Sequence, residues 1–426
     1  MIARNFYQGE FSLLYPKIDM AGALSGIIGS EFPLFNALIY LCFEIFGFEH
    51  WYGRLINLII SSIGIYFFFK VLKELFTSRI AYYSTIILLC SIWFSFSRKI
   101  MPDTFSVSLV IISLSSLIQY IRESSISNLV YFIILGSLGC LSKIPAISLL
   151  SPLIIIFFIP SINRKKRTFI SFAVLIVAFI TALWYFYWVP HLTSTYQYEL
   201  YFPKTLADGF LELKNHIPDL FKRFYFSAFL SYIAFVSFII GAIFLVKDKM
   251  YYALSGLLAA FIIFGVFIIK TGAVFPTHNY YIIPFVPFMA FTAGYSVSKI
   301  SNKWAAVVCT LIFVEAIANQ QHDFFIKDEN RYKLKLEKIG QNTIDDKELI
   351  VINGGKSPQL IYFINKKGWS VSNKFLEDPT KIDSLKSLGA QKLIIDKKTS
   401  TMNYPFKKAY NGEHFEVYDL LEPQEL

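Results

Sequence analysis

The chain has 426 residues, of which 55% are hydrophobic, 18% aromatic and 16% charged, with a net charge of +10. A typical soluble domain is about 25% charged, so an ordinary cytosolic globule and a disordered chain are both excluded. The four cysteines (Cys42, Cys90, Cys140 and Cys309) sit inside apolar runs, which reads as four small hydrophobes rather than a disulfide scaffold or a metal site. The excess of Lys and Arg has no soluble basic face to go with it, so no nucleic-acid partner is expected. What remains is an integral membrane protein whose bilayer is its first partner.

Residues 1–53 come first and are only moderately apolar, with Gly9, Pro16, Asp19, Gly22, Gly26, Gly29, Glu31 and Pro33 marking a loop region. Within them, LFNALIYLCFEIFGF at 34–48 is interrupted by Asn36 and Glu44 and is short for a span. It is predicted to lie on the membrane surface as an interfacial helix. Residues 54–322 are predicted to form the transmembrane bundle. A bilayer core about 30 Å thick needs roughly 20 apolar residues per helix, and about ten stretches approach that length. They run near 54–72, 80–97, 104–121, 128–142, 146–161, 168–189, 225–246, 251–269, 281–298 and 304–320. The break at Lys143 and Pro145 leaves 128–161 open between two spans and a re-entrant hairpin.

One long loop, 190–224, interrupts the bundle. Its segment 206–224 spaces Leu206, Phe210, Leu213, Ile217, Leu220, Phe221 and Phe224 as an amphipathic surface helix would. Residues 323–426 change character. Short strand-like runs appear at 349–353, 392–396 and 415–420, with helical patterns at 331–340 and 379–388. Turn signals stand at Gly354-Gly355, Gly389 and Asn411-Gly412. The segment reads as a small α/β domain. The Gly354-Gly355 pair lacks a phosphate-loop frame and reads as a plain turn.

Loop charge sets the predicted orientation. The loops holding Lys70, Lys73 and Arg79, then Arg122, then Arg164 to Arg167, then Lys247 and Lys249, then Lys299 and Lys303 are denser in basic residues than the alternate set. They are predicted to be cytoplasmic. Residues 1–53 and 323–426 then lie outside. The first ten residues carry no basic-then-apolar leader, so a first helix is expected upstream of Met1 in a fuller form of the chain.

Ionisable groups at membrane depth cost several kcal/mol and are functional candidates. On this topology Glu10, Asp19, Glu31, Asp103, Arg54, Arg98, Lys99, Lys143 and Lys270 all fall at the outer face, together with His278, Tyr280 and Tyr281. A rim of snorkelling side chains gives the same pattern. A pocket formed by them is the sharper reading. Carboxylates there would serve as a general base or hold a divalent cation, and Arg and Lys would grip a phosphate. Aromatic rings would stack on a sugar. That combination suits glycosyl transfer from a lipid-phosphate donor.

The succession ARNFY (3–7), LYPKIDM (14–20), GSEFPLF (29–35), FGFEHWYGRL (46–55), SRKIMPD (97–103) and PTHNYYIIPFVPF (276–288) resembles the GT-C membrane glycosyltransferases. Within them it is most similar to the bacterial branch related to protein O-mannosyltransferases and lipid A aminoarabinose transferases. The resemblance implies a polytopic α-helical GT-C bundle with a small extracytoplasmic α/β domain in the inner (plasma) membrane. It implies a polyprenyl-phosphate-linked sugar as donor, an extracytoplasmic acceptor and inverting displacement; some members use a divalent cation.

Carried over by position, Asp19, Glu31 and Asp103 are the implied catalytic acids. Arg54, Arg98, Lys143 and His278 are the implied donor-phosphate contacts, and Tyr280 and Tyr281 the substrate-binding pair. The chain departs from the family in beginning near the point where a first crossing would already be complete. The family's usual base after the first span is therefore not matched here. Plainer readings stand beside these: Asp103 as a helix cap, Asp19 and Glu31 as turn residues, Arg54 as a headgroup anchor, Lys143 as a snorkelling side chain, His278 as an interfacial aromatic, and Tyr280 and Tyr281 as aromatic-belt residues. A transporter or lipid flippase, or an inactive GT-C homologue, are the alternatives to an enzyme.

Overall fold

The structure is a computed structural model and describes residues 1–199, 203–325 and 327–423. It divides into two compact units. One comprises Ser30–Trp188 and Tyr201–Phe324; the other comprises Met1–Gly29, Val189–Leu200 and Phe325–Leu426. Residues 1–29 and 189–200 therefore group with the C-terminal segment, while 30–53 belongs to the helical unit. Residues 200–202 of the long loop lie outside the described residues.

The helical unit holds the apolar stretches, and every one of them is helical. Among the described residues six helices are long and apolar enough to cross a membrane. They are Tyr52–Leu75, Pro102–Glu123, Arg164–Tyr196, Tyr251–Thr271, Asn279–Val297 and Asn302–Asp323. The pair Ile217–Ser227 and Tyr232–Lys247, bent by 92°, would make a seventh as a broken span. Leu34–Phe46, Ser78–Cys90, Ile126–Ser142 and Ile144–Phe158 are apolar but shorter.

The helix Arg164–Ala182 shows the logic of the unit. Ile170, Ala173, Val177 and Thr181 are buried on one face, while Phe172, Leu175 and Phe179 are exposed on the other. Exposed large apolar side chains on helices of this hydropathy form a lipid-facing stripe. Inward faces use small residues so that backbones approach closely. A Cβ at Gly294 would stand 2.4 Å from the Ser84 backbone nitrogen, so only glycine allows helix Val286–Val297 to meet helix Ser78–Cys90 as it does. Hydroxyls on these faces return to their own backbone, as Ser108 does to Thr104 O (2.7 Å) and Thr181 to Val177 O (2.8 Å). At the 92° break, Glu315 accepts from the Ser231 hydroxyl (2.5 Å) and from the amides of Tyr232 (3.0 Å) and Ile233 (3.2 Å). A carboxylate on a span is thereby occupied by the orphan donors of the next helix.

The second unit is built on five strands: β1 (Leu349–Ile352), β2 (Gly368–Ser370), β3 (Ala390–Asp396), β4 (Phe406–Asn411) and β5 (Phe415–Pro423), in the order β2-β1-β3-β5-β4. β1 is parallel to β2 and β3, whereas β5 is antiparallel to both β3 and β4. Both faces are covered. Ile350, Ile352 and Ile394 pack with Leu336 and Ile361 on one side, and Val351, Leu393 and Ile395 with Ile382 and Leu385 on the other. Two-sided burial is why β1 and β3 are continuous apolar runs rather than alternating ones.

Two strands escape the sequence reading. β2 has three residues, and β4 (FKKAYN) carries two lysines and is mostly exposed. The edge strand β2 does not end the pairing. The Gly368 amide donates to Asp19 O (2.9 Å), and the Gly22 amide donates to Gly368 O (2.8 Å). Residues 19–22 thus cover an edge that would otherwise expose unpaired backbone groups.

Candidate active site

The site is built from the N-terminal turn of helix Pro102–Glu123, the break between helices Ile126–Ser142 and Ile144–Phe158, and the short segment 30–33. All three belong to the helical unit.

Met101, in extended conformation, precedes the helix as its cap residue, and Pro102 opens it. Proline suits that place because its missing N–H is not needed there. Asp103 is therefore not the cap. It lies in the first turn, where the helix N-terminus favours a carboxylate. Its side chain is 1% exposed, and Oδ2 has no hydrogen-bond partner among the described residues. A buried acid oxygen without a partner is costly and calls for a functional account.

Asn57 fixes the turn leading to Asp103. It is fully buried, and its Nδ2 donates to Phe96 O (2.9 Å), Lys99 O (2.9 Å) and Met101 O (3.1 Å). Its Oδ1 accepts from the hydroxyls of Ser61 and Thr104, both at 3.0 Å. One turn beyond Asp103, Ser106 donates to Gly139 O (2.7 Å) and Lys143 O (3.3 Å), so the same helix also holds the Lys143 backbone.

Lys143 sits in extended conformation where an α-helix gives way to a 3₁₀ helix ahead of Pro145. Its Nζ lies 2.7 Å from Glu31 Oε1 and 5.7 Å from the Tyr281 ring centroid. Glu31 is aimed by its neighbours. The Trp184 indole donates to Ser30 O (2.9 Å), and the Phe32 amide donates to Leu141 O (3.0 Å). Glu31 keeps 40% of its side chain accessible. Burial pushes its carboxyl up, but the charge and hydrogen bond of Lys143 outweigh that and hold it below the usual carboxylate range. Asp103 is within electrostatic reach of both Lys143 and Glu31.

An aromatic side completes the cluster. Tyr280 and Tyr281 meet at 4.8 Å between centroids, Tyr280 lies 5.6 Å from Phe96, and His278 lies 5.4 Å from each tyrosine. His278 Nδ1 stands 3.0 Å from Val274 O. Nδ1 also stands 2.9 Å from the Thr277 hydroxyl, which can donate or accept, so these contacts are compatible with either tautomer.

The structure thus brings together Glu31, Asp103, Lys143, His278, Tyr280 and Tyr281. The other residues singled out by sequence are placed differently. Arg98 donates to Phe94 O (3.1 Å) and lies between the rings of Phe94 (4.4 Å) and Phe324 (4.9 Å), beside the Lys99–Asp323 ion pair (2.8 Å). Arg54 is exposed at the start of helix Tyr52–Leu75. Asp19 belongs to the other unit, where it pairs with the buried Arg4 at 2.8 Å.

Among the described residues no three His, Cys, Asp or Glu side chains group as metal ligands. Glu31 is already committed to Lys143, so the site does not fit a protein-built divalent cation centre, and no step is assigned to one. Sequence reasoning missed Asn57 and Ser106. The signal for Asn57 was present: a lone amide three residues into an otherwise apolar run.

Residues 30–188 match the family of dolichyl-phosphate-mannose-protein mannosyltransferases. No curated protein sequence matches the chain. Among solved structures, ArnT from Cupriavidus metallidurans bound to undecaprenyl phosphate is similar with a TM-score of 0.61 at 13% identity, over 100% of this chain and 93% of that one. The oligosaccharyltransferase AglB from Archaeoglobus fulgidus, in complex with an inhibitory peptide and a dolichol-phosphate, is similar with a TM-score of 0.62 at 12% identity, over 93% of this chain and 64% of that one. Residues 30–188 thus carry the mannosyltransferase signature, and the chain as a whole shares the fold of these two solved proteins.

Proposed function

We propose that the protein transfers a sugar from a polyprenyl-phosphate donor to a hydroxyl of an extracytoplasmic acceptor, with inversion at the anomeric carbon. The single observation that carries this reading is the cluster of Asp103, Lys143 and Glu31. A buried carboxylate with an unpartnered oxygen and an ammonium held by a second carboxylate stand at helix ends among apolar spans. The lipid phosphates bound by ArnT and AglB support the donor class.

Each group has a part. Asp103 Oδ2 accepts the proton of the attacking hydroxyl. The acceptor oxygen bonds to the anomeric carbon as the bond from that carbon to the phosphate oxygen breaks. The bonding pair leaves with the phosphate, and the Lys143 ammonium stabilises the charge developing there. Glu31 aims Lys143 and keeps it protonated. His278 and the two tyrosines flank the sugar. The donor enters from the bilayer of the plasma membrane, and the 323–426 domain stands on the extracytoplasmic side.

The test is transfer of labelled sugar from polyprenyl phosphate by the purified protein in lipid nanodiscs. Release of free polyprenyl phosphate with sugar-labelled acceptor is expected, together with loss of both in Asp103→Asn. Full transfer by Asp103→Asn and Lys143→Met alike would remove the proposed site. Movement of intact donor lipid across the bilayer without bond cleavage would replace the enzyme by a flippase.

A further inference from the structure

A recess lies in the other unit, outside the cluster just described. It has a volume of about 150 Å³ and is lined by Glu10, Ser12, Tyr15, Lys17, Ile27 and Tyr196. We propose that it binds a neutral pyranose ring, the sugar of a glycan acceptor. Assignment to the acceptor rests on the transferase reading; the sugar-binding proposal itself does not.

The lining supports a sugar rather than another ligand. Tyr15 and Tyr196 meet at 6.3 Å between centroids with planes 81° apart, so the two rings form perpendicular walls. An aromatic wall offers its face to the axial C–H groups of a sugar. Glu10, Ser12 and Lys17 supply an acceptor, a mixed hydroxyl and a donor, which matches the alternating needs of vicinal hydroxyls. Glu10 and Lys17 form no ion pair among the described residues, so both are open to a ligand. A carboxylate on the rim disfavours a phosphate, and the polar set disfavours an acyl chain.

The recess is also held in shape. Lys17 and Ile27 pair across an antiparallel bridge. Asn5 donates to Lys17 O (2.9 Å), and the buried Arg4–Asp19 pair fixes the next turn. Rigid walls reduce the ordering cost of binding. The larger hollow of the same unit, about 270 Å³, is lined by Asp345, Asp346, Asn365 and Lys366, and there the lysine is already bound to Asp346 at 2.5 Å. It has no aromatic wall, which makes it the natural control.

Saturation-transfer NMR on the full chain in detergent micelles, with the methyl glycosides of mannose, glucose, galactose and N-acetylglucosamine as probes, tests the recess. At least one glycoside should receive saturation through its ring protons. Tyr15→Leu or Tyr196→Leu should weaken its binding about tenfold, whereas Tyr15→Phe, which keeps the ring, should retain it. Asp345→Asn and Asp103→Asn should leave it unchanged. No saturation of any glycoside overturns the proposal, as does equal binding by Tyr15→Leu, or displacement of the sugar by inorganic phosphate. In the transfer assay, Tyr15→Leu should raise the KM for acceptor about tenfold without changing the KM for donor lipid. The opposite split overturns the acceptor assignment. Glycoside binding that persists in a protein without transfer activity upholds the recess and sinks the transferase reading instead.

Discussion

Lys143 Nζ and Glu31 Oε1 stand 2.7 Å apart although 112 residues separate them in the chain. The pair exists because two unrelated backbone breaks are tied to the same place. Phe32 is bonded to Leu141 O, and Ser106 to Lys143 O. An ammonium so held is a fixed positive charge rather than a snorkelling one, and its value to catalysis lies in needing little reorganisation.

Removing that charge should be felt in the chemical step. Lys143→Met is expected to lower kcat about 10²- to 10³-fold. Lys143→Arg should lose less, since charge is kept while geometry changes. Glu31→Gln should act through Lys143 and cost about tenfold, chiefly in kcat/KM for the donor. Initial rates of labelled-sugar transfer at varied donor lipid distinguish these outcomes.

Asp103→Asn should lower kcat about 10²- to 10⁴-fold, the range for loss of a positioned base, while binding of polyprenyl phosphate stays intact. Titration of the variant with a fluorescent polyprenyl phosphate checks the second half. A variant that loses binding and rate together would make Asp103 a donor contact and not the base.

Asn57→Leu tests positioning. It keeps the branching and the number of side-chain heavy atoms but leaves the carbonyls of Phe96, Lys99 and Met101 without their shared donor. Each unsatisfied buried group costs about 1–3 kcal/mol, so the melting temperature in detergent should fall. Transfer should fall further than the stability loss accounts for, because the turn that carries Asp103 is no longer pinned. Retention of full kcat at a temperature where the variant is folded would remove Asn57 from the positioning role.

In the other unit, Asp19→Asn should act on stability. Arg4 is 3% exposed and depends on Asp19 for its charge, and stranding a buried charge costs about 3–5 kcal/mol. Gly22→Val should act at the same place. Gly22 has a φ of +59°, and a Cβ there would lie 2.2 Å from the Trp369 indole nitrogen. Faster hydrogen exchange in residues 368–370 is expected for both variants, with kcat per folded molecule largely kept.

The sheet of that unit should be acid-labile. Burial raises the Glu416 carboxyl, but hydrogen bonds from Tyr418 (2.5 Å) and Lys408 (3.0 Å) outweigh it and leave it below its usual value. Asp419 behaves alike: burial raises it, and Lys392 at 2.6 Å more than compensates. Folded values below the unfolded ones, about 3.9 for Asp and 4.3 for Glu, mean that folding is stabilised most above those values. The stabilisation fades as pH falls toward and through the folded ones. Hydrogen exchange in 390–396 and 415–423, corrected for intrinsic rates, should accelerate between pH 5 and pH 3 by more than in β2, which lacks such pairs. Equal acceleration in all strands would argue against this origin.

The sequence by itself determined the membrane class, the helical character of the apolar stretches and the strand runs of β1, β3 and β5. Those features follow from local composition and period, which need no long-range contact to be read. It also brought forward Glu31, Asp103, Lys143 and the His278–Tyr281 segment, because ionisable groups are rare in so apolar a chain. Tertiary structure alone decided which of these meet. Only packing pairs Lys143 with Glu31, turns Arg98 toward two aromatic rings and gives Asp19 to Arg4. It also decided that residues 1–29 group with the C-terminal segment, since their partner is the open edge of β2, a strand too short to announce itself. Asn57 shows the boundary most plainly: its presence in an apolar run was visible, but its purpose required three carbonyls that lie 39 to 44 residues further along the chain.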